Sequence, residues 1–210
     1  MAYSDFKLDE LLSTFSLSLR EDPDHFASVS PVAPSDYLRL TLQRNLNLAV
    51  AINTEKARSE LVIAPILLEV KQQFYDEISL FSGVDFTVDK QQGLNGVCDF
   101  LLSRSPEQLL IRAPVLTVVE AKNENLSAEF AQCIAEMVAA QLFNQQKQND
   151  IDPIYGVVTT GTLWRFLALS DRQVTVDSTE YFIKEIEKIL GILQFMVVRS
   201  PASGDRSRLS

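Results

Sequence analysis

The sequence predicts a mixed α/β fold (α+β mixed), a central mixed β-sheet flanked by helices. Three observations predict it. Helical spacing dominates the first third of the chain, and strand-like alternation replaces it from residue 84 onward. The stretch "VLTVVEAK" (115–122) is a nearly continuous apolar and β-branched run, the pattern of a strand buried on both faces. A strong helical pattern follows it and two more strand patterns follow the helix, which is the order of a layered α/β domain. With 210 residues, 46% of them hydrophobic and 22% charged, the chain can bury a sizeable core.

The elements are justified in order. "DFKLDELLSTFSLSL" has helical spacing at Phe6, Leu8, Leu11, Leu12 and Phe15. "REDPDHFASVSPVAPS" reads as a loop broken by Pro23, Pro31 and Pro34. Ser35 or Asp36 caps the next helix, which carries Leu38, Leu42, Leu46 and Val50. A further helix starts near Thr54, and Pro65 inside it should kink or divide it. "VDFTVDK" (84–90) and "NGVCDFLLS" (95–103) read as strands joined at a turn in "QQGL". The strand 115–122 precedes the helix "SAEFAQCIAEMVAAQLFNQQ", with Ser127 as its expected cap. "IYGVVTTG" and "LWRFLALS" form two strands around Gly161, "QVTVD" a short edge strand, and "TEYFIKEIEKILGILQFMVV" a closing helix. The expected organisation is an N-terminal helix and loop extension (1–34), a single domain (35–198) and a disordered tail (199–210).

Composition narrows the function. No run reaches the length of a membrane span, and the acidic, amphipathic N-terminus lacks the layout of a signal peptide, so a cytoplasmic protein is expected. Cys98 and Cys133 sit in apolar contexts as reduced core residues. His25 is the single histidine, which leaves little material for a histidine zinc site or a histidine-dependent triad. The net charge of -9 argues against electrostatic coating of nucleic acid but not against cutting it, since local patches decide contact.

Acid-x-Lys occurs three times, at Asp5–Lys7, Glu69–Lys71 and Glu120–Lys122, and only the third ends an apolar strand. Alternation along a strand puts Glu120 and Lys122 on one face. Asp99 is a second acid embedded among apolar strand residues. Two such acids on neighbouring strands repel unless a cation lies between them, and Mg²⁺ accepts one or two carboxylates plus waters. Glu60, on the helix before the sheet, is a further candidate ligand or holder of a metal-bound water. Gln132 and Glu136 are four apart, on one helix face; Glu136 reads as a structural or exposed helix residue. Trp164 and Phe166 read as core and the intervening Arg165 as exposed. Lys90, Arg104 and Arg112 flank the strands as possible phosphate contacts.

Asp99 in "GVCDF", twenty intervening residues, then Glu120 and Lys122 in "VVEAK" resemble the PD-(D/E)XK nuclease superfamily, the restriction-endonuclease-like fold. "RSELVIAPIL", "AQCIAE" and "YGVVTTGTLWRFLAL" are similar to flanking pieces of its restriction-subunit-like members, over roughly residues 55–170. Cys98 stands where many members have proline. The resemblance implies Asp99, Glu120 and the Ala121 carbonyl as Mg²⁺ ligands (Mn²⁺ as a substitute), with Glu60 for a second ion or a metal-bound water. It implies Lys122 orienting the water or stabilising charge at phosphorus, and Glu60 and Gln132 in accessory roles. The implied activity is phosphodiester hydrolysis in nucleic acid, DNA foremost, by a chain able to form a homodimer. The alternative is a non-catalytic accessory or regulatory subunit of a restriction or mobile-element system.

Overall fold

A computed structural model describes residues 1–121, 126–149 and 151–199, the side chains of 126–129 excepted. It is a mixed α/β structure around one eight-stranded sheet, ordered β1-β7-β6-β5-β4-β3-β2, with β8 pairing β6. In chain order, a 3-10 turn at Tyr3–Asp5 precedes α1 (Leu8–Thr14), β1 (Ser18–Asp22) and α2 (Asp36–Ile52). Then come α3 (Glu55–Arg58), a π-helical segment (Ser59–Ile63) and α4 (Ala64–Gln73). The sheet continues with β2 (Ser79–Asp85), β3 (Val97–Ser103) and β4 (Val115–Ala121). Helix α5 (Leu126–Gln146) leads to β5 (Ile154–Thr159), β6 (Leu163–Ser170), β7 (Gln173–Asp177), β8 (Tyr181–Phe182) and α6 (Ile186–Arg199).

Strand β4 is an interior strand of the sheet, between β5 and β3, and all seven of its residues are buried, as its apolar run requires. It pairs antiparallel with β3 and parallel with β5, the parallel pair being joined through α5. Helix α5 lies close on β5: a Cβ on Gly156 would stand 2.4 Å from the Met137 Sδ and 2.9 Å from the Cys133 Sγ. That face of the sheet therefore carries Gly156 and, two residues on, Val158.

Pro65 acts as expected, by a specific route. Having no N–H, it leaves the carbonyl of Leu61, four residues earlier, without its helical donor. The backbone widens into the π segment just before it, and Asn45 Nδ2 on α2 donates to the Leu61 carbonyl at 3.2 Å. Ser35 caps α2 by accepting the Leu38 N–H at 3.1 Å.

Several expectations are corrected. Residues 20–35 are not all loop: β1 begins at Ser18 and pairs in parallel with β7, Ser18 opposite Gln173, so β7 is not an edge strand. The segment 1–34 is part of the fold, because Tyr3, Phe6, Leu11 and Phe26 are buried in the common core. The strand expected at 84–90 lies earlier, at Ser79–Asp85. Beyond it the hairpin continues only through Phe86 N–Gly96 O at 2.9 Å, Val88 N–Leu94 O at 3.0 Å and a bridge between Asp89 and Leu94. Arg199, expected as the first residue of a disordered tail, is the last residue of α6, and 200–210 lie outside the described residues. Among the described residues no helix is long and apolar enough to cross a membrane.

Candidate active site

The β3–β4 ladder ends, at the C-terminal end of β4, on the rung between Phe100 and Val119. One step further the acids take over. Asp99 Oδ2 accepts the Ala121 N–H at 2.8 Å, so a carboxylate replaces the carbonyl that a ladder would supply. Glu120 is 2% exposed in the middle of the sheet. From α5, Gln132 Nε2 donates to Glu120 Oε1 at 2.7 Å and to Glu136 Oε1 at 3.2 Å. One amide thus ties the strand acid to a helix acid.

Glu136 is fully buried, which leaves the structural one of its two expected readings and removes the exposed one. Its spacing from Gln132 placed both on one helix face, but only the fold shows that this face points into the sheet. Burial first, then the Glu120 carboxylate, push the Glu136 carboxyl well above the ordinary glutamate range; the Gln132 hydrogen bond opposes this and Asp99 adds to it. Burial, followed by the charges of Glu136 and Glu120, also pushes the Cys98 thiol up, so Cys98 is a protonated wall of the site and not a nucleophile.

The expected site residues divide. Asp99, Glu120, the Ala121 backbone and Gln132 are brought together. Lys122 lies outside the described residues, as does the side chain of Ser127. Glu60 is not brought in: its side chain is 63% exposed and pairs with Lys56 one helical turn away at 3.6 Å. Its place on the outer side of the π segment turns it to solvent. Trp164 is fully buried and donates its indole N–H to the Gly161 carbonyl, so it stacks on no base. Arg112 is engaged by Glu107 at 2.7 Å, and Arg104 donates to the Val197 carbonyl.

Among the described residues no three His, Cys, Asp or Glu side chains converge on one point. Mg²⁺ needs no such cage, because it is held by one or two carboxylates together with waters and substrate phosphate. Asp99 and Glu120 are hard oxygen donors of that kind. The upward push on the buried Glu136 carboxyl, to which both the Glu120 and the Asp99 carboxylates contribute, marks negative potential in the cluster that a cation would answer. The residues fit the ion in kind.

Two cations near this end of the sheet were not singled out by sequence. Arg58, 9% exposed, donates to Asn53 Oδ1 at 2.8 Å, to the Thr160 carbonyl at 2.9 Å and to Thr162 Oγ1 at 3.3 Å. It braces the β5–β6 turn from the helical layer. Arg165 was expected to be exposed, yet its side chain is only 16% exposed. It lies under the Phe130 ring of α5, 5.5 Å from the centroid, and its Nε donates to the Asp177 carbonyl at 3.3 Å. Alternation along β6 foresees Arg165 opposite in face to Trp164 and Phe166, but not the cover that α5 provides.

No protein-family model matches this chain, and no curated protein matches it significantly.

Proposed function

We propose that the protein is a metal-dependent nuclease of the PD-(D/E)XK kind, on a restriction-endonuclease-like fold, hydrolysing phosphodiester bonds in DNA. The observation that carries this reading is that Asp99 accepts the Ala121 N–H at 2.8 Å next to Glu120, whose carboxylate accepts from Gln132 at 2.7 Å, at the end of β4. Ordinary solvated acids do not collect at a buried strand end, because each unpaired carboxylate is costly there. The antiparallel β3–β4 pair followed by the β4–α5–β5 crossover supports the same reading.

Asp99, Glu120 and the Ala121 carbonyl would hold Mg²⁺ or Mn²⁺, which when bound supplies a Lewis acid and an acidified water. Gln132 fixes the Glu120 carboxylate, and Glu136 in turn fixes the Gln132 amide. Lys122 is assigned the orientation of the attacking water and the stabilisation of charge at phosphorus. Glu60 is left out of the ligand set.

Cleavage of linear duplex and single-stranded DNA in Mg²⁺ or Mn²⁺ tests the proposal. Asp99→Ala and Glu120→Gln are expected to lower the rate at least about a hundredfold, in the range lost when a transition-state contact is removed. Activity equal to wild type in both variants, or none from wild type with either metal, would sink it. The net charge of -9 favours a second reading, a non-catalytic accessory subunit on the same fold. That reading predicts no saturable Mn²⁺ binding, and an Asp99-dependent Mn²⁺ isotherm would exclude it.

A further inference from the structure

Glu120 on β4 stands beside Val158 on β5, and Val158 stands opposite Arg165 on β6. Paired residues on adjacent strands project from the same face, so the three form one row across the sheet. Arg165 is therefore two strand spacings from Glu120, about 9–10 Å between backbones. The face is the one α5 covers: Gln132 reaches Glu120 and Phe130 covers Arg165.

The guanidinium is held in place from two sides. The Phe130 ring covers it at 5.5 Å, and the bond from Nε to the Asp177 carbonyl at 3.3 Å tethers it to β7. Its ion-pair partner is different in kind. Nη1 lies 3.5 Å from Glu180 Oε1, too long for a firm charge-assisted hydrogen bond, and the Glu180 side chain is 49% exposed. An exposed pair of this sort is easily exchanged, and a phosphodiester offers the same charge with a geometry suited to the guanidinium fork.

We propose that Arg165 binds a backbone phosphate of the DNA strand next to the scissile one, with Glu180 occupying that place until DNA displaces it. This rests on the nuclease reading, and it assigns that site a strand-positioning contact. Glu180 then acts as a competitor: it keeps Arg165 neutralised in the free protein and sets a threshold for substrate entry.

The test is binding of a fluorescein-labelled DNA duplex to the full chain in EDTA, read by anisotropy across a salt series, with cleavage in Mn²⁺ read in parallel. Arg165→Gln is expected to weaken binding about tenfold and to make the salt slope shallower by about 0.9, the change for one lost phosphate contact. Glu180→Gln is expected to tighten binding several-fold, a gain that a purely structural ion pair would not give. The exposed position of Glu180 keeps this second variant informative if Arg165→Gln fails to fold. Wild-type affinity and slope in Arg165→Gln, or unchanged affinity in Glu180→Gln, overturn the assignment while wild-type cleavage leaves the nuclease reading standing. Binding that depends on Arg165 without any cleavage overturns the nuclease reading alone, and a wild type that neither binds nor cleaves overturns both.

Discussion

Glu136 sets the electrostatics of the acid cluster from inside α5, and its behaviour gives a prediction at the scale of one residue. A carboxyl held above its ordinary range binds its proton more tightly in the folded chain than in the unfolded one. Folding stability is then full below the ordinary glutamate value and falls as pH rises from there through the folded value. In EDTA, Glu136→Gln should therefore flatten the plot of melting temperature against pH, with its advantage over wild type growing toward the alkaline end. Parallel profiles for the two proteins would show that Glu136 does not carry the shift. At this scale the sequence was informative about which acids and amides come together. Asp99, Glu120 and Gln132 were recognisable because each stands in a strong strand or helix pattern. Glu60 was misleading, since a helix pattern fixes a spacing and not the side that faces the sheet. For Glu136 and Arg165 the missing fact was again the packing partner, the sheet in one case and Phe130 in the other.

Among the elements, α6 packs closely on the segment between β1 and α2. Lys188 donates to the carbonyls of Phe26, Ala27 and Val29 at 2.6–2.9 Å, and one turn later Gly191 lies against Ser30. A Cβ at Gly191 would stand 2.2 Å from the Ser30 carbonyl oxygen, which is backbone and has little room to give. Gly191→Ala should cost about 1–3 kcal/mol, the usual range for forcing atoms into a packed contact, despite the better helix propensity of alanine. Urea denaturation measures it, and a variant as stable as wild type would contradict the contact. Most elements were legible because their patterns are local: the buried run of β4, the long α5 and the Ser35 cap are written in consecutive residues. Strand β1 was not, because four of its five residues are exposed and its partner comes late in the sequence. Strand β2 was placed late for a related reason. Phe86 and Val88 alternate as a strand would, but only scattered hydrogen bonds hold them across the hairpin.

For the whole molecule, the N-terminal segment tests how much of the core is shared. Asp177, buried at the end of β7, accepts the Phe26 N–H at 3.3 Å, the Thr179 N–H at 2.9 Å and the Tyr181 hydroxyl at 2.8 Å. Phe26 itself packs among Tyr155, Phe166 and Phe195. A chain starting at Ser35 would lose that aromatic centre, strand β1 and one donor to a buried carboxylate. It should be recovered largely as aggregate or melt far below the full chain, since losing one buried aromatic alone costs about 3–5 kcal/mol. A cooperative melt of the shortened chain near the wild-type temperature would restore the view of residues 1–34 as an appendage.

The pairing of Ser18 with Gln173 also orders events in time. During synthesis β1 leaves the ribosome before β7 exists, and it waits without that neighbour while residues 23–172 are added. Helices α2 to α4 and the β2–β3 hairpin can assemble from contacts close in sequence during that wait, whereas the parallel β1–β7 closure needs the chain made through Asp177. The first strand made is thus among the last to dock, and its exposed, charged "SLRED" sequence keeps it soluble until it does.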